Sequence, residues 1–527
     1  MCSIRSTRAG AVSAALFFLA VSAVAQVSET IDVRVLELEV AVLDRDGKPV
    51  ENLTREDFEV SLANKRVNVT NFYAVRRGAV VDEAERSQAK DEVKVETTIP
   101  TSLLILIDDT RLGQHAKKRA LDGLREFVKS NIGPDTTALL ARWNGGNLDV
   151  LTRPTEKPGL LLAEIDRLAG VAVQFRDSER RRLMQEIDNV ATTPAEKEPV
   201  PNPDQLRNEL MAYAEREASE VERTIKALRE AVQLASAFDG RRAVLYVSEG
   251  LPMSGAAELF DYWNKVTTVS NPAINPAVTA LMREALHPLD SARADRSQRF
   301  RELAKEAQRA NVLFHALDAG GLRANDLSGV DAPLSLARLD PMLFRGNAQD
   351  GIRFVAKETG GRFIANENDL GRALLVMSEQ YMTYYSLGVS APPSTRLTKV
   401  SVKVKNRPQL RVVTARYRRA LTREEDLERS VRTHLYTRAA ENPLGVTLGV
   451  GAPAKQGEKC SVPFSIRPRA GTIWFALLDE RMQESAVRQS ADPNIAIGVR
   501  PGKYVLSVAV VAESGETSYL QQDIECR

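Results

Sequence analysis

Ser102 to Thr110 reads SLLILIDDT. A short, unbroken apolar run of this kind is what a strand buried on both faces requires, because neither face can carry polar side chains. It ends abruptly in two acids and a hydroxyl, the composition of a strand-end loop. Downstream, His115 to Asn131 carries Leu121, Leu124, Phe127 and Val128 on one helical face, and Gly133-Pro134 stops it. Buried strand, then amphipathic helix, is the unit of a parallel sheet.

The same alternation continues. Thr137 to Trp143 and Leu148 to Thr152 read as strands joined at Asn144-Gly145-Gly146-Asn147, with a helix from Pro158 to Ala169. Residues 172–203 are polar and broken by proline, and Gln205 to Phe238 is a long helical stretch. Arg242 to Val247 (RAVLYV) is the next buried strand. A long insertion covers 251–295. Helix Gln298–Ala310, strand Val312–Leu317, helix Ile352–Glu358, strand Arg362–Ala365 and helix Asp369–Tyr381 complete the series. This order predicts an α/β domain over 101–382, a doubly wound sheet with inserts near 172–223 and 251–295. In such sheets sites form outside the carboxyl ends of the strands. Two acidic loops fall there, Asp108-Asp109-Thr110 and Ser248-Glu249-Gly250.

The flanks read differently. Val33, Val35, Leu38, Val40 and Val42 sit among alternating polar residues, so 26–77 is an N-terminal β segment and 78–100, charged and aperiodic, a linker. Residues 383–418 return to β, 419–442 form a charged helical connector, and 443–527 carry short strands at the spacing of a C-terminal β-sandwich.

Residues 1–25 resemble a secretory signal: Arg5 and Arg8, the apolar run Ala11 to Ala20, and Ala23-Val24-Ala25 as the cleavage site. An uncleaved anchor is the alternative. The chain of 527 residues carries a formal charge of +2. Cleavage removes two arginines and no acid, leaving a neutral mature chain, which excludes a binder of nucleic acid driven by excess basic charge. It also removes Cys2. Cys460 and Cys526 remain, and two cysteines in an exported chain point to a disulfide, with two free thiols as the alternative. No second apolar stretch is long enough to span a bilayer. The expected location is exported: periplasmic, cell-surface or extracellular.

Four stretches together resemble the von Willebrand factor A-related proteins exported by bacteria. They are Val42-Leu43-Asp44 through Asp57-Phe58-Glu59-Val60 with Gly47, Pro49, Leu53 and Thr54 between, Leu104 to Asp108, Gly240 to Gly250 (GRRAVLYVSEG), and Ala356 to Gly361 followed by Tyr384-Tyr385-Ser386-Leu387-Gly388. The match covers roughly 31–418. It implies that the β segments on either side of the A domain pack together as one small sandwich, with the A domain inserted. It also implies a metal-ion-dependent adhesion site, D-x-S-x-S with a later Thr and Asp, holding Mg²⁺ or Mn²⁺ and binding a protein ligand through an open coordination position. On that pattern the metal residues are Asp108, Thr110, Thr224 and Glu249. Leu112 stands at the second Ser position and cannot ligate, and Glu249 replaces Asp, so the site is degenerate. Asp108 and Asp109 could instead cap the following helix.

Nucleotide-binding, zinc-protease and serine-hydrolase motifs are absent, and His115, His287, His315 and His434 lie in unrelated contexts. The sequence therefore predicts an exported, non-enzymatic interaction or adhesion-type protein. Two alternatives stay open. One is a metal-assisted hydrolase using Asp108, Asp109, Glu249 and Asp318. The other is a structural envelope component with a vestigial site.

Overall fold

The computed structural model describes residues 34–81, 98–173, 177–192, 203–253, 256–257, 259–260, 262–263, 297–321, 341–391, 396–437, 442–457 and 459–526. The expected signal segment 1–25, most of the expected linker and most of the expected insertion at 251–295 lie outside the described residues.

The chain opens with β1 (Arg34–Leu43), β2 (Phe58–Leu62), β3 (Lys65–Val67), β4 (Val69–Arg76) and β5 (Ala79–Val81). The last of these corrects the linker reading at its start. Arg77 and Gly78 both take positive φ, 49° and 87°, and turn β5 back antiparallel onto β4. Three residues are too few to show a period, so the strand was invisible in the sequence.

The central domain contains β6 (Thr101–Asp108), β7 (Thr136–Trp143), β8 (Leu148–Val150), β9 (Arg241–Ser248), β10 (Val312–Asp318) and β11 (Phe363–Ile364). They form one sheet in the order β11-β10-β9-β6-β7-β8, parallel throughout except where β8 pairs with β7. Every residue of β6, β9 and β10 is buried. Helices explain why. Leu103, Ile105 and Ile107 face α1 (Gln114–Asn131), α2 (Pro158–Ala169) and, further along the chain, α7 (Leu370–Met382). Leu104 and Leu106 face α4 (Pro203–Ser236), α5 (297–309) and α6 (Pro341–Thr359). Each such leucine or isoleucine contributes about 1.5–3 kcal/mol by leaving water. A further helix, α3 (Asp177–Thr192), lies inside the stretch read as polar and proline-broken. Its Leu183, Met184 and Ile187 pack with Leu206 and Leu210 of α4 and with Phe260 and Trp263, giving the insert a core of its own.

β12 (Tyr384–Ala391), β13 (Thr398–Val404), β14 (Arg411–Val413) and β15 (Tyr417–Arg418) return to the first module. One sheet runs β14-β1-β12-β4-β5 and the other β15-β13-β2-β3. Strands from before and after the central domain interleave around Leu38, Val40, Phe58, Leu387 and Val402. Arg241, the first residue of β9, locks the two modules. Its guanidinium lies 4.5 Å from the Tyr381 ring centroid and 3.9 Å from that of Tyr384, and its Nε is 2.9 Å from Glu39 on β1.

After α8 (Arg423–Tyr436), capped by Thr422 and Glu425 in a reciprocal box, come β16 (Thr447–Val450), β17 (Ala454–Gln456), β18 (Lys459–Arg467), β19 (Thr472–Asp479), β20 (Arg488–Ser490), β21 (Asn494–Val499), β22 (Gly502–Val511) and β23 (Thr517–Cys526). They make two antiparallel sheets, and a disulfide joins Cys460 to Cys526 across them. Val431 and Leu435 of α8 pack on β19 and β22, while its Tyr436 meets Phe238 of the central domain edge-on.

Candidate functional site

The parallel strands β6, β9 and β10 end side by side at Asp108, Ser248 and Asp318. Asp108 is wholly buried. Its Oδ1 accepts hydrogen bonds from the Thr110 amide at 3.0 Å and the Thr110 hydroxyl at 2.6 Å, and its Oδ2 accepts one from the Tyr246 hydroxyl at 2.6 Å. Burial pushes the Asp108 carboxyl up, and Arg111 together with these hydrogen bonds opposes the rise. Burial, then the charge of Asp108, pushes the Tyr246 phenol up as well.

Asp109 joins a different network. Lys117, itself buried, places its Nζ 2.9 Å from Asp109 Oδ1 and donates to the Val171 carbonyl at 3.1 Å. Arg142 on β7 lies 3.4 Å from Asp109 and 3.7 Å from Asp149. Glu249 closes the entry to α1. Its Oε2 accepts from the Gly113 amide at 2.6 Å, and its own amide donates to the Arg111 carbonyl at 2.8 Å. Gly113 is the N-cap of α1 and has no side chain to cap with, so Glu249 supplies both the acceptor and the negative charge the helix dipole favours. Asp318 accepts from the Gly320 amide at 2.9 Å and from Gln349 Nε2 at 2.5 Å.

The four residues aligned with a metal site each have protein partners of their own. Asp108 and Thr110 bond each other. Glu249 lies in the next loop but holds Gly113. Thr224 lies within α4, buried, and its Oγ1 accepts from Trp143 Nε1 at 3.2 Å. Leu112 is fully buried among the leucines of α1. A hard divalent cation needs several oxygens free to converge at near-octahedral geometry. Here both Asp108 oxygens already accept from protein donors, and the Lys117 and Arg142 cations stand beside Asp109. The donor set does not fit Mg²⁺ or Mn²⁺.

His315 sits within β10. Its Nδ1 accepts from the Arg362 amide at 2.9 Å, and burial, with Arg241 and Arg362 nearby, pushes its imidazole down to about 3. It is a neutral core residue, not a member of the rim. Sequence reasoning missed Tyr246, Lys117, Arg142 and Gln349. For Tyr246 a signal existed: a phenol inside an apolar strand must find a partner once buried.

Similarity to known proteins is confined to distant solved structures. No family model matches the chain, and no curated protein matches it. Among solved structures, the chain is similar to an aerotolerance-related membrane protein from Bacteroides fragilis, with 11% identity over 53% of this chain and 98% of that one and a TM-score of 0.24. It is similar also to the N-terminal domain of TFIIH p34, with 14% identity over 53% of this chain and 97% of that one and a TM-score of 0.20.

Proposed function

We propose that this chain is an exported, non-enzymatic interaction protein whose central domain is a doubly wound, von Willebrand factor A-like unit with a degenerate adhesion site. Its strand-end surface around Thr110, Arg111, Asn147 and Glu249 binds a protein ligand without a divalent cation. One observation carries this reading. Each acid at the rim is already held by protein donors, Asp108 by Thr110 and Tyr246, Asp109 by Lys117, Glu249 by Gly113 and Asp318 by Gln349. Such a rim is pre-organised, which lowers the ordering cost of binding. It also weakens the hydrolase alternative, since a general base must be within reach of substrate and these carboxylates serve as structural acceptors. Export finds support in the Cys460–Cys526 disulfide, a bond that persists in oxidising compartments. Among the described residues no helix is long and apolar enough to cross a membrane.

The test is affinity capture from an envelope fraction in EDTA, using the chain from Gln26 and its Asn147→Arg variant, which changes an exposed rim position. A polypeptide retained by the first and lost by the second is the expected result. Turnover on a hydrolase panel that Asp318→Asn abolishes would overturn the proposal in favour of an enzyme.

A further inference from the structure

The two sheets of the C-terminal module differ in width. One runs β20-β19-β22-β23. In the other, β16 and β17 pair with opposite ends of β18 on one side and β21 pairs on the other, so it is only three strands across. β16 lies against β23, and Cys460 on β18 is bonded to Cys526 on β23. On the other side of the module, residues of β21 share a groove with residues of β19 and β20.

This groove lies at the edge of the module. Phe475, Leu477, Ile497 and Val499 line it, with Arg488 and Asp479 towards its two ends. β21 reads NIAIGV, without charge or proline. Among the described residues no strand pairs with its outer edge, and a Cβ built on Gly498 meets nothing within 4 Å. Open edges normally carry lysine, proline or a bulge that blocks pairing, and this one carries none. The charges around the groove are unequally answered. Glu484 is held by Arg432 and Tyr436, and Asp479 Oδ1 accepts the amides of Arg481 and Gln483. Arg488 is exposed and has no ion pair among the described residues.

We propose that this groove takes an extended segment of a partner protein, added as a strand to β21. Main-chain hydrogen bonds to β21 supply affinity. Alternate apolar side chains cover Phe475 and Leu477, and a carboxylate meets Arg488. The exposed Arg488 favours an acidic segment from another protein, and a second copy is the alternative the test separates.

The test uses the chain from Gln26 and labelled peptides of alternating valine and threonine, about seven residues long to span β21. One set is flanked at both ends by aspartate, the other by lysine. Fluorescence anisotropy at low salt should show saturable binding, with the aspartate set about fivefold tighter. Arg488→Glu should reverse that order, and amide exchange should slow over 494–499. Absence of saturable binding at millimolar peptide, an order unchanged by Arg488→Glu, or slowed exchange confined to other strands would overturn the proposal. So would self-association of the chain that by itself protects 494–499, which assigns the edge to a second copy.

Discussion

Asp108 gathers three hydrogen bonds in a wholly buried position, and its removal has an asymmetric cost. Asp108→Ala takes from the buried Tyr246 hydroxyl its carboxylate acceptor and should destabilise the fold by about 1–3 kcal/mol in urea titrations. Asp108→Asn keeps an oxygen for Thr110 and should cost less. Its pH behaviour adds a second check. The folded carboxyl lies above its unfolded value, so protonation favours the fold: the contribution is full in acid and is lost as pH rises through the raised value. Asn does not titrate, so the melting point of Asp108→Asn should gain on the wild type as the pH rises above about 4. His315 works in the opposite sense. Its folded value of about 3 lies below the unfolded 6.5, so its contribution is full above 6.5 and falls as the pH drops towards 3. His315→Gln should flatten that acid limb of stability, measured by melting across the same range. At this scale the sequence was half legible. Asp108, Glu249 and Asp318 could be placed at strand ends by counting. Their partners could not, because Tyr246 lies 138 residues from Asp108 and Gly113 lies 136 from Glu249.

Elements were legible where burial was uniform. SLLILI and RAVLYV announce strands covered on both faces, and their helices follow from spacing. β5 and α3 were not. β5 is too short for a period, and the apolar face of α3 is hidden among Glu179-Arg180-Arg181-Arg182 and later acids. Its core exists only when α4 and Leu259, Phe260, Tyr262 and Trp263 come beside it. The joint at Arg241 is a further long-range property. A guanidinium buried between Tyr381, Tyr384 and Glu39 couples the central sheet to the first module, and removing one member leaves an unpaired charge. Arg241→Leu should therefore cost about 3 kcal/mol. It should also split a shared denaturation transition into two. Glu39→Gln placed beside it should add less than its own single effect, because the two residues share one interaction.

The described residues form three modules, a β-sandwich with the α/β domain inserted in it and a C-terminal β-sandwich, with α8 wedged between the central domain and the last. The Cys460–Cys526 bond closes a span of 66 residues, so Cys526→Ala should cost the C-terminal module about 4 kcal/mol, read as a lowered melting transition for that module while the central domain holds. The strand-end rim of the central domain carries the functional conclusion, and its independence of metal is open to one direct measurement. The chain from Gln26 to Arg527 is melted in Mg²⁺, in Mn²⁺ and in EDTA, beside Asp108→Asn. A cation bound to the native state raises the melting point by linkage. An internally satisfied rim predicts the same melting point in all three solutions. A rise of several degrees in millimolar Mg²⁺ or Mn²⁺ that Asp108→Asn abolishes would contradict it, and would show that the Thr110 and Tyr246 hydrogen bonds give way to a metal.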